Sequence, residues 1–207
     1  MTFLTRILIN KSRRETMLIL SHPERLHAAI YAGFPSVCNN GADRGVLWRL
    51  DERYAGPVIY VVSETMPDYT GFVESYGWPR RAYADQVRTV SYDDALASIH
   101  DGEHLRFRIT ASTQLRRSGK SIPLRGISAQ EEWLRRRSET NGFIIRSMTI
   151  TRAGSGMVDA DNHLIRFPWA QYDGVLTVSG RSAFTGMLRK GMGREKAYGM
   201  GLMTVFA

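Results

Sequence analysis

The chain has 207 residues, 43% of them hydrophobic, and carries a formal net charge of +8 with an isoelectric point near 9.9. That length suits one large domain or two of about 100 residues each, and that apolar content supports a packed core, which excludes wholesale disorder. No apolar run reaches the roughly 20 residues of a membrane span, and charges interrupt the apolar runs of MTFLTRILINKSRRETMLIL, with no small-residue cleavage site after them, which argues against a secretory leader. The single cysteine, Cys38, excludes an internal disulfide framework and a cysteine-rich zinc site, so a cytoplasmic location is expected.

The first strand is predicted over 2–9, where Phe3, Leu4, Ile7, Leu8 and Ile9 supply apolar weight. A helix follows in SHPERLHAAIYAGF. Ser21 reads as its N-cap, Pro23 sits in the first turn, and Glu24 completes an S-x-x-E capping box. Leu26, Ala29, Ile30 and Gly33 form its buried stripe. VLWRLDE (46–52) and PVIYVVS (57–63) read as two strands around a short turn. A stretch rich in Tyr, Pro and Asp comes next, with a short helix expected in it. HLRFRITAS (104–112) alternates, with Leu105, Phe107 and Ile109 on one face and Arg106 and Arg108 on the other. The order is β-α-β-β-α-β, a ferredoxin-like unit.

Residues 113–127 read as a basic linker with one short strand. Ser128 and Glu131 make a second capping box before AQEEWLRRRSET, and residues 143–151 alternate as a strand. RAGSGMVDADNH reads as a polar loop or hairpin tip, GVLTVS (174–179) as a strand and SAFTGMLRK (182–190) as a helix, with Gly191 as its C-cap. Leu202–Phe206 closes as a strand. The second half repeats the first, so the expected fold is α+β: two tandem ferredoxin-like domains, over 1–113 and 114–207.

The charge points to a polyanionic partner. Lys11, Lys120, Lys190 and Lys196 are the only lysines among 28 basic residues; the rest are arginine, whose planar fork fits phosphate and stacks on bases. GMGREKAYGMGL, between the last helix and the last strand, holds Gly191, Gly193, Gly199 and Gly201 around Arg194 and Lys196. It is neither a dinucleotide fingerprint nor a P-loop: the spacing fails for both, and no helix follows. Two readings stay open. The exposed N–H groups of the loop cradle a phosphate backbone, or the loop packs tightly against its own sheet.

G-h-G-x-x-K-x-x-G-x-G-L at the end of two such domains resembles the glycine-rich loop of CRISPR-associated RNA-processing endonucleases. TFLTRILIN, HPERLH, VLWRLDE, LRFRITAS, AQEEWLRRR followed by NGF, and YDGVLTVSG, in this order over nearly the whole length, make the chain similar to the type I-E subgroup, the CasE family. The resemblance implies cutting of the precursor CRISPR transcript within each repeat, beside a stem-loop. It implies a reaction without metal or cofactor, in which a ribose 2′-OH attacks the scissile phosphate and leaves a 2′,3′-cyclic phosphate and a 5′-OH. The implied partners are the repeat RNA hairpin and the other subunits of the type I-E interference complex (Cascade).

The family's catalytic histidine falls on His27. An imidazole, ordinarily near a pKa of about 6.5, can take or give a proton at cellular pH. Some members carry a tyrosine three residues earlier, where this chain has Glu24, and Tyr31, one turn after His27, is the candidate to replace its hydroxyl. The expected RNA-binding residues are Arg106, Arg108, Arg116, Arg117, Lys120, Gly191, Gly193, Arg194, Lys196, Gly199 and Gly201. Arg135, Arg136 and Arg137 read rather as a solvated helix face, His22 as a surface residue, and His100 and His104 as part of a solvated turn. The alternatives are a non-catalytic RNA-binding subunit of the same architecture and a small-molecule enzyme with a phosphate loop, the latter disfavoured by arginine spread over both halves.

Overall fold

In a computed structural model of the chain, residues 1–34, 45–117, 120–160 and 163–206 are described; Cys38 lies outside them. They form two units, Met1–Ala95 with Ala197–Gly199, and Leu96–Lys196 with Met200–Ala207.

In the first unit the sheet is built on β1 (Phe3–Leu8), which pairs antiparallel with β3 (Val58–Ser63) on one side and β4 (Val87–Ser91) on the other. β2 (Leu47–Asp51) pairs with β3, giving the order β2-β3-β1-β4. Helices α1 (Arg14–Leu20) and α2 (Pro23–Tyr31) join β1 to β2. α3 (Thr70–Tyr76) and α4 (Tyr83–Gln86) precede β4, and α5 (Tyr92–Ala97) follows it. The core gathers Ile7, Ile9, Ile30, Phe34, Trp48, Ile59, Val61 and Tyr69, all buried. α2 joins it through Leu26 and Ile30, one turn apart on the predicted stripe.

In the second unit the order is β10-β5-β9-β8. β5 (His104–Ser112) lies between β10 (Met203–Phe206) and β9 (His163–Val178), and β8 (Phe143–Ala160) pairs with β9. α6 (Ile127–Thr140) connects β5 to β8, and α7 (Arg181–Lys190) connects β9 to β10. Two register shifts, at Ile145/Ser147 and Ile150/Arg152, interrupt the long β8–β9 ladder. A separate hairpin, β6 (Gln114–Arg117) with β7 (Lys120–Pro123), stands between β5 and α6. Numbered within each unit, both four-stranded sheets are antiparallel with order 4-1-3-2, the ferredoxin-like arrangement.

The two-domain α+β architecture is therefore present, but the division is not the one expected. β5 opens the second sheet instead of closing the first, and the units part between Ala95 and Leu96 rather than after residue 113. The reason is VRTVS at 87–91. This short strand, with only Val87 buried, takes the edge beside β1 that β5 was expected to fill. Neither capping box forms. α1, which the sequence pattern missed, ends at Ser21, and the Ser21 hydroxyl donates back to the Met17 and Leu18 carbonyls at 3.1 and 3.0 Å. The α2 N-cap is His22. The α6 N-cap is Gly126 (φ 86°), so Ser128 lies inside the first turn. The polar segment 152–163 extends the β8–β9 hairpin up to residues 161–162, and the basic linker contains the β6–β7 hairpin.

Candidate functional site

His27 sits in the middle of α2, between Leu26 and Ile30 of the buried stripe and the exposed Ala28. Its imidazole is partly exposed, with Nδ1 turned inward. Tyr31, one turn on, brings its ring to 4.1 Å from the imidazole at a 37° tilt. This is the i, i+4 neighbourhood a helix dictates. The tyrosine hydroxyl donates to the Val46 carbonyl at 3.4 Å, one residue before β2. Glu24 is partly buried one turn before His27. His27 and Tyr31 thus form one face of α2, where an ionisable ring meets a phenol.

In the second unit Arg106 and Arg108 lie on the face of β5 opposite Leu105, Phe107 and Ile109, as the alternation predicts. Arg106 is exposed. Arg108 is held by Asp173 on β9, its Nε and Nη2 donating to the two carboxylate oxygens at 2.6 and 3.1 Å. Thr151 donates to the same carboxylate at 2.7 Å. Burial alone would raise the Asp173 pKa, but hydrogen bonds from Arg108, Thr151 and Gln171, with the guanidinium charge, outweigh it and hold the carboxyl below the usual range. Beside them Arg146 donates to Thr177 at 2.7 Å, and Thr177 is 2.9 Å from His104 Nδ1, so His104 is part of the sheet rather than of a solvated turn.

Arg116 and Arg117 lie on β6 and Lys120 on β7, where Arg116 pairs with Ser121 and Arg117 with Lys120 in the ladder. Arg194, in the glycine-rich loop, is exposed and donates to the Ser121 hydroxyl at 3.2 Å. Lys196 donates to the Lys190 carbonyl, the last of α7, at 2.8 Å. Burial pushes its pKa below the ordinary lysine value. It meets the negative end of the helix dipole, so its charge is engaged within the protein.

The four glycines of the loop all have positive φ, from 71° to 89°. Two of them also permit close approach. A Cβ on Gly199 would stand 2.6 Å from the Trp48 ring, whose Nε1 donates to the Ala197 carbonyl at 3.2 Å. A Cβ on Gly201 would collide with the Met192 carbonyl oxygen; Met192 N–H donates to the Gly201 carbonyl, and Gly201 N–H to that of Thr110. At Gly199 and Gly201 the loop backbone therefore packs closely on its own protein. Its outer residues, Arg194 and Glu195, still face the β6–β7 hairpin.

Asp173, Gln114, Ser121 and Glu195 were not expected from the sequence. Each matters through a partner far away in the chain, from 65 to 81 residues. The register of β5 with β9 sets Arg108 against Asp173, and the loop lying against the β6–β7 hairpin makes the other two pairs.

The family model described as "CRISPR associated protein" matches residues 2–206. The chain is 25% identical over 223 residues to the CRISPR-associated endoribonuclease Cse3 of Thermus thermophilus, covering 98% of this chain and 99% of that protein. Its fold superposes with a TM-score of 0.82 on Thermus thermophilus Cse3 bound to an RNA representing a pre-cleavage complex, at 25% identity over 100% of this chain and 99% of the other. A chain of a CRISPR RNA-guided surveillance complex shares the fold at a TM-score of 0.65, with 24% identity and 98% of both chains covered.

Proposed function

Since the chain belongs to the CRISPR-associated protein family, matched from residue 2 to residue 206, we propose that it is an endoribonuclease that cuts precursor CRISPR RNA within the repeat, beside a stem-loop. The observation that carries this reading is the full-length likeness, at a TM-score of 0.82, to an endoribonuclease captured with RNA before cleavage.

The chemistry needs a proton taken from the ribose 2′-OH and a proton given to the leaving 5′ oxygen. The 2′ oxygen attacks the adjacent phosphorus, the P–O5′ bond breaks, and the products end in a 2′,3′-cyclic phosphate and a 5′-OH. Water and metal take no part. His27 is the proton-transfer group, since an imidazole changes charge near neutrality and this one stands partly exposed on α2. The Tyr31 phenol beside it is the second hydroxyl. Arg106, Arg116, Arg117, Lys120 and Arg194 supply charge for the RNA backbone, Arg108 adds a guanidinium oriented by Asp173, and the loop that Lys196 and the glycines shape presents Arg194. Phosphate contacts of this kind position an RNA stem, whose deep major groove admits few side chains. The enzyme then remains with its product hairpin as a subunit of the type I-E interference complex, in the cytoplasm.

Glu24, at the position where the family resemblance implies tyrosine in some members, keeps a second reading open, a subunit that binds repeat RNA without cutting it. Incubation of the protein with labelled cognate repeat RNA in EDTA separates the two. Cleavage to a cyclic-phosphate end supports the metal-independent enzyme. Cleavage only on adding a divalent cation removes the metal-independent mechanism, and tight binding without cleavage under either condition removes the activity.

A further inference from the structure

The glycine-rich loop grips the β6–β7 hairpin at two points. Gln114 Nε2 donates to Glu195 Oε1 at 3.0 Å, and Arg194 Nη1 donates to the Ser121 hydroxyl at 3.2 Å. One bond reaches each strand of the hairpin. At its base the loop is fixed elsewhere, by Lys196 on the end of α7 and by Gly201 on β5.

Among the described residues Glu195 is the one non-glycine with positive φ, at 58°. A side chain there costs conformational energy that glycine would avoid. The neighbouring positive-φ positions 191, 193, 199 and 201 are glycine. A carboxylate among the loop's cations also opposes an approaching phosphate. Strain and charge both count against Glu195, so what it contributes is its grip on Gln114.

We propose that Glu195 is a positioning residue. Through Gln114 it latches the hairpin to the loop that carries Arg194, so that the two elements meet RNA as one fixed unit. The inference rests on the RNA-binding reading above.

The test compares Glu195→Gln, which loses the charge but keeps the acceptor, with Glu195→Gly, which loses charge and latch and relaxes the backbone. Gln114→Met removes the donor. Affinity for a labelled stem-loop of the cognate repeat is measured in a His27→Ala background, and backbone amide hydrogen exchange of the hairpin is measured in the free protein. Loss of one charge-assisted hydrogen bond predicts about fivefold to tenfold weaker binding in Glu195→Gly and Gln114→Met. Glu195→Gln is expected to bind at least as tightly as the parent, and the Gln114→Met/Glu195→Gly pair no more weakly than Glu195→Gly alone. The hairpin amides should exchange faster in the two latch-breaking variants and not in Glu195→Gln. Equal affinity of Glu195→Gly and Glu195→Gln overturns the proposal, whether or not exchange changes, because a latch that leaves binding untouched positions nothing. If the parent protein binds no repeat RNA, the proposed function fails, and unchanged exchange in Glu195→Gly would overturn the latch as well.

Discussion

His27 and Tyr31 show how one helix turn brings an imidazole and a phenol together from an ordinary amphipathic pattern. Leu26 and Ile30 bury one stripe, and that leaves His27 on its flank with Tyr31 stacked beside it. Because the Tyr31 hydroxyl also reaches the Val46 carbonyl, its role separates into chemistry and packing. Tyr31→Phe keeps the ring and is expected to slow single-turnover cleavage about tenfold with RNA affinity unchanged; an unchanged rate would restrict Tyr31 to packing. Gly199 is a residue of the opposite kind, defined by what it lacks. Gly199→Ala meets the Trp48 ring at 2.6 Å with φ at 79°, and is expected to cost about 2 kcal/mol or more in denaturant unfolding. A stability equal to the parent's would show that Trp48 moves aside freely. The glycine density was legible in the sequence. That Gly199 packs on Trp48 was not, because Trp48 is 151 residues earlier in the chain.

At the scale of elements, the Arg108–Asp173 pair ties β5 to β9. Its folded-state carboxyl pKa lies below the unfolded value. The contribution is therefore complete above the unfolded pKa of about 3.9, and is lost as pH falls through the lower folded one. Asp173→Asn is expected to lose about 1–2 kcal/mol at neutral pH and to lose less at acid pH, read from urea melts across pH 2–7. A constant difference over that range would mean that charge is not what the pair contributes. The strands and helices with strong periodicity, β1, β2, β3, β5, α2, α6 and α7, were legible in the residues. α1 was not, because Arg13 before it and Arg14 and Glu15 within it break the apolar run, and neither was β4, with five residues and one buried side chain. The misplaced boundary followed from β4 alone: once a fourth strand is missed, the next alternating segment is taken in its place. Both capping boxes failed for a related reason. S-x-x-E describes only local spacing, whereas Ser21 is claimed by the end of a preceding helix.

For the whole molecule, the net charge of +8 and the abundance of arginine are statements about partners rather than fold. If several of Arg106, Arg116, Arg117, Lys120 and Arg194 meet phosphates, the logarithm of the RNA affinity should fall against the logarithm of salt with a slope of roughly −3 or steeper. A slope near zero would remove the electrostatic account of binding. The family was legible from the ordered set of short stretches and the closing glycine-rich loop, since they span nearly the whole chain. The partners of the cations were not legible, because Arg108 meets Asp173 only through the folded register of β5 with β9, and Lys196 turns back onto the last carbonyl of α7. The central claim is that this chain cuts RNA and that His27 moves the proton. The most direct measurement is single-turnover cleavage of labelled cognate repeat RNA by the parent protein and by His27→Ala, with affinity read in the same titration. The account predicts a cyclic-phosphate product from the parent, a rate at least about 100-fold lower in the variant, and affinities within about twofold of each other. Cleavage that survives in His27→Ala would contradict the assignment of the residue, and tight binding with no cleavage by either protein would contradict the activity itself.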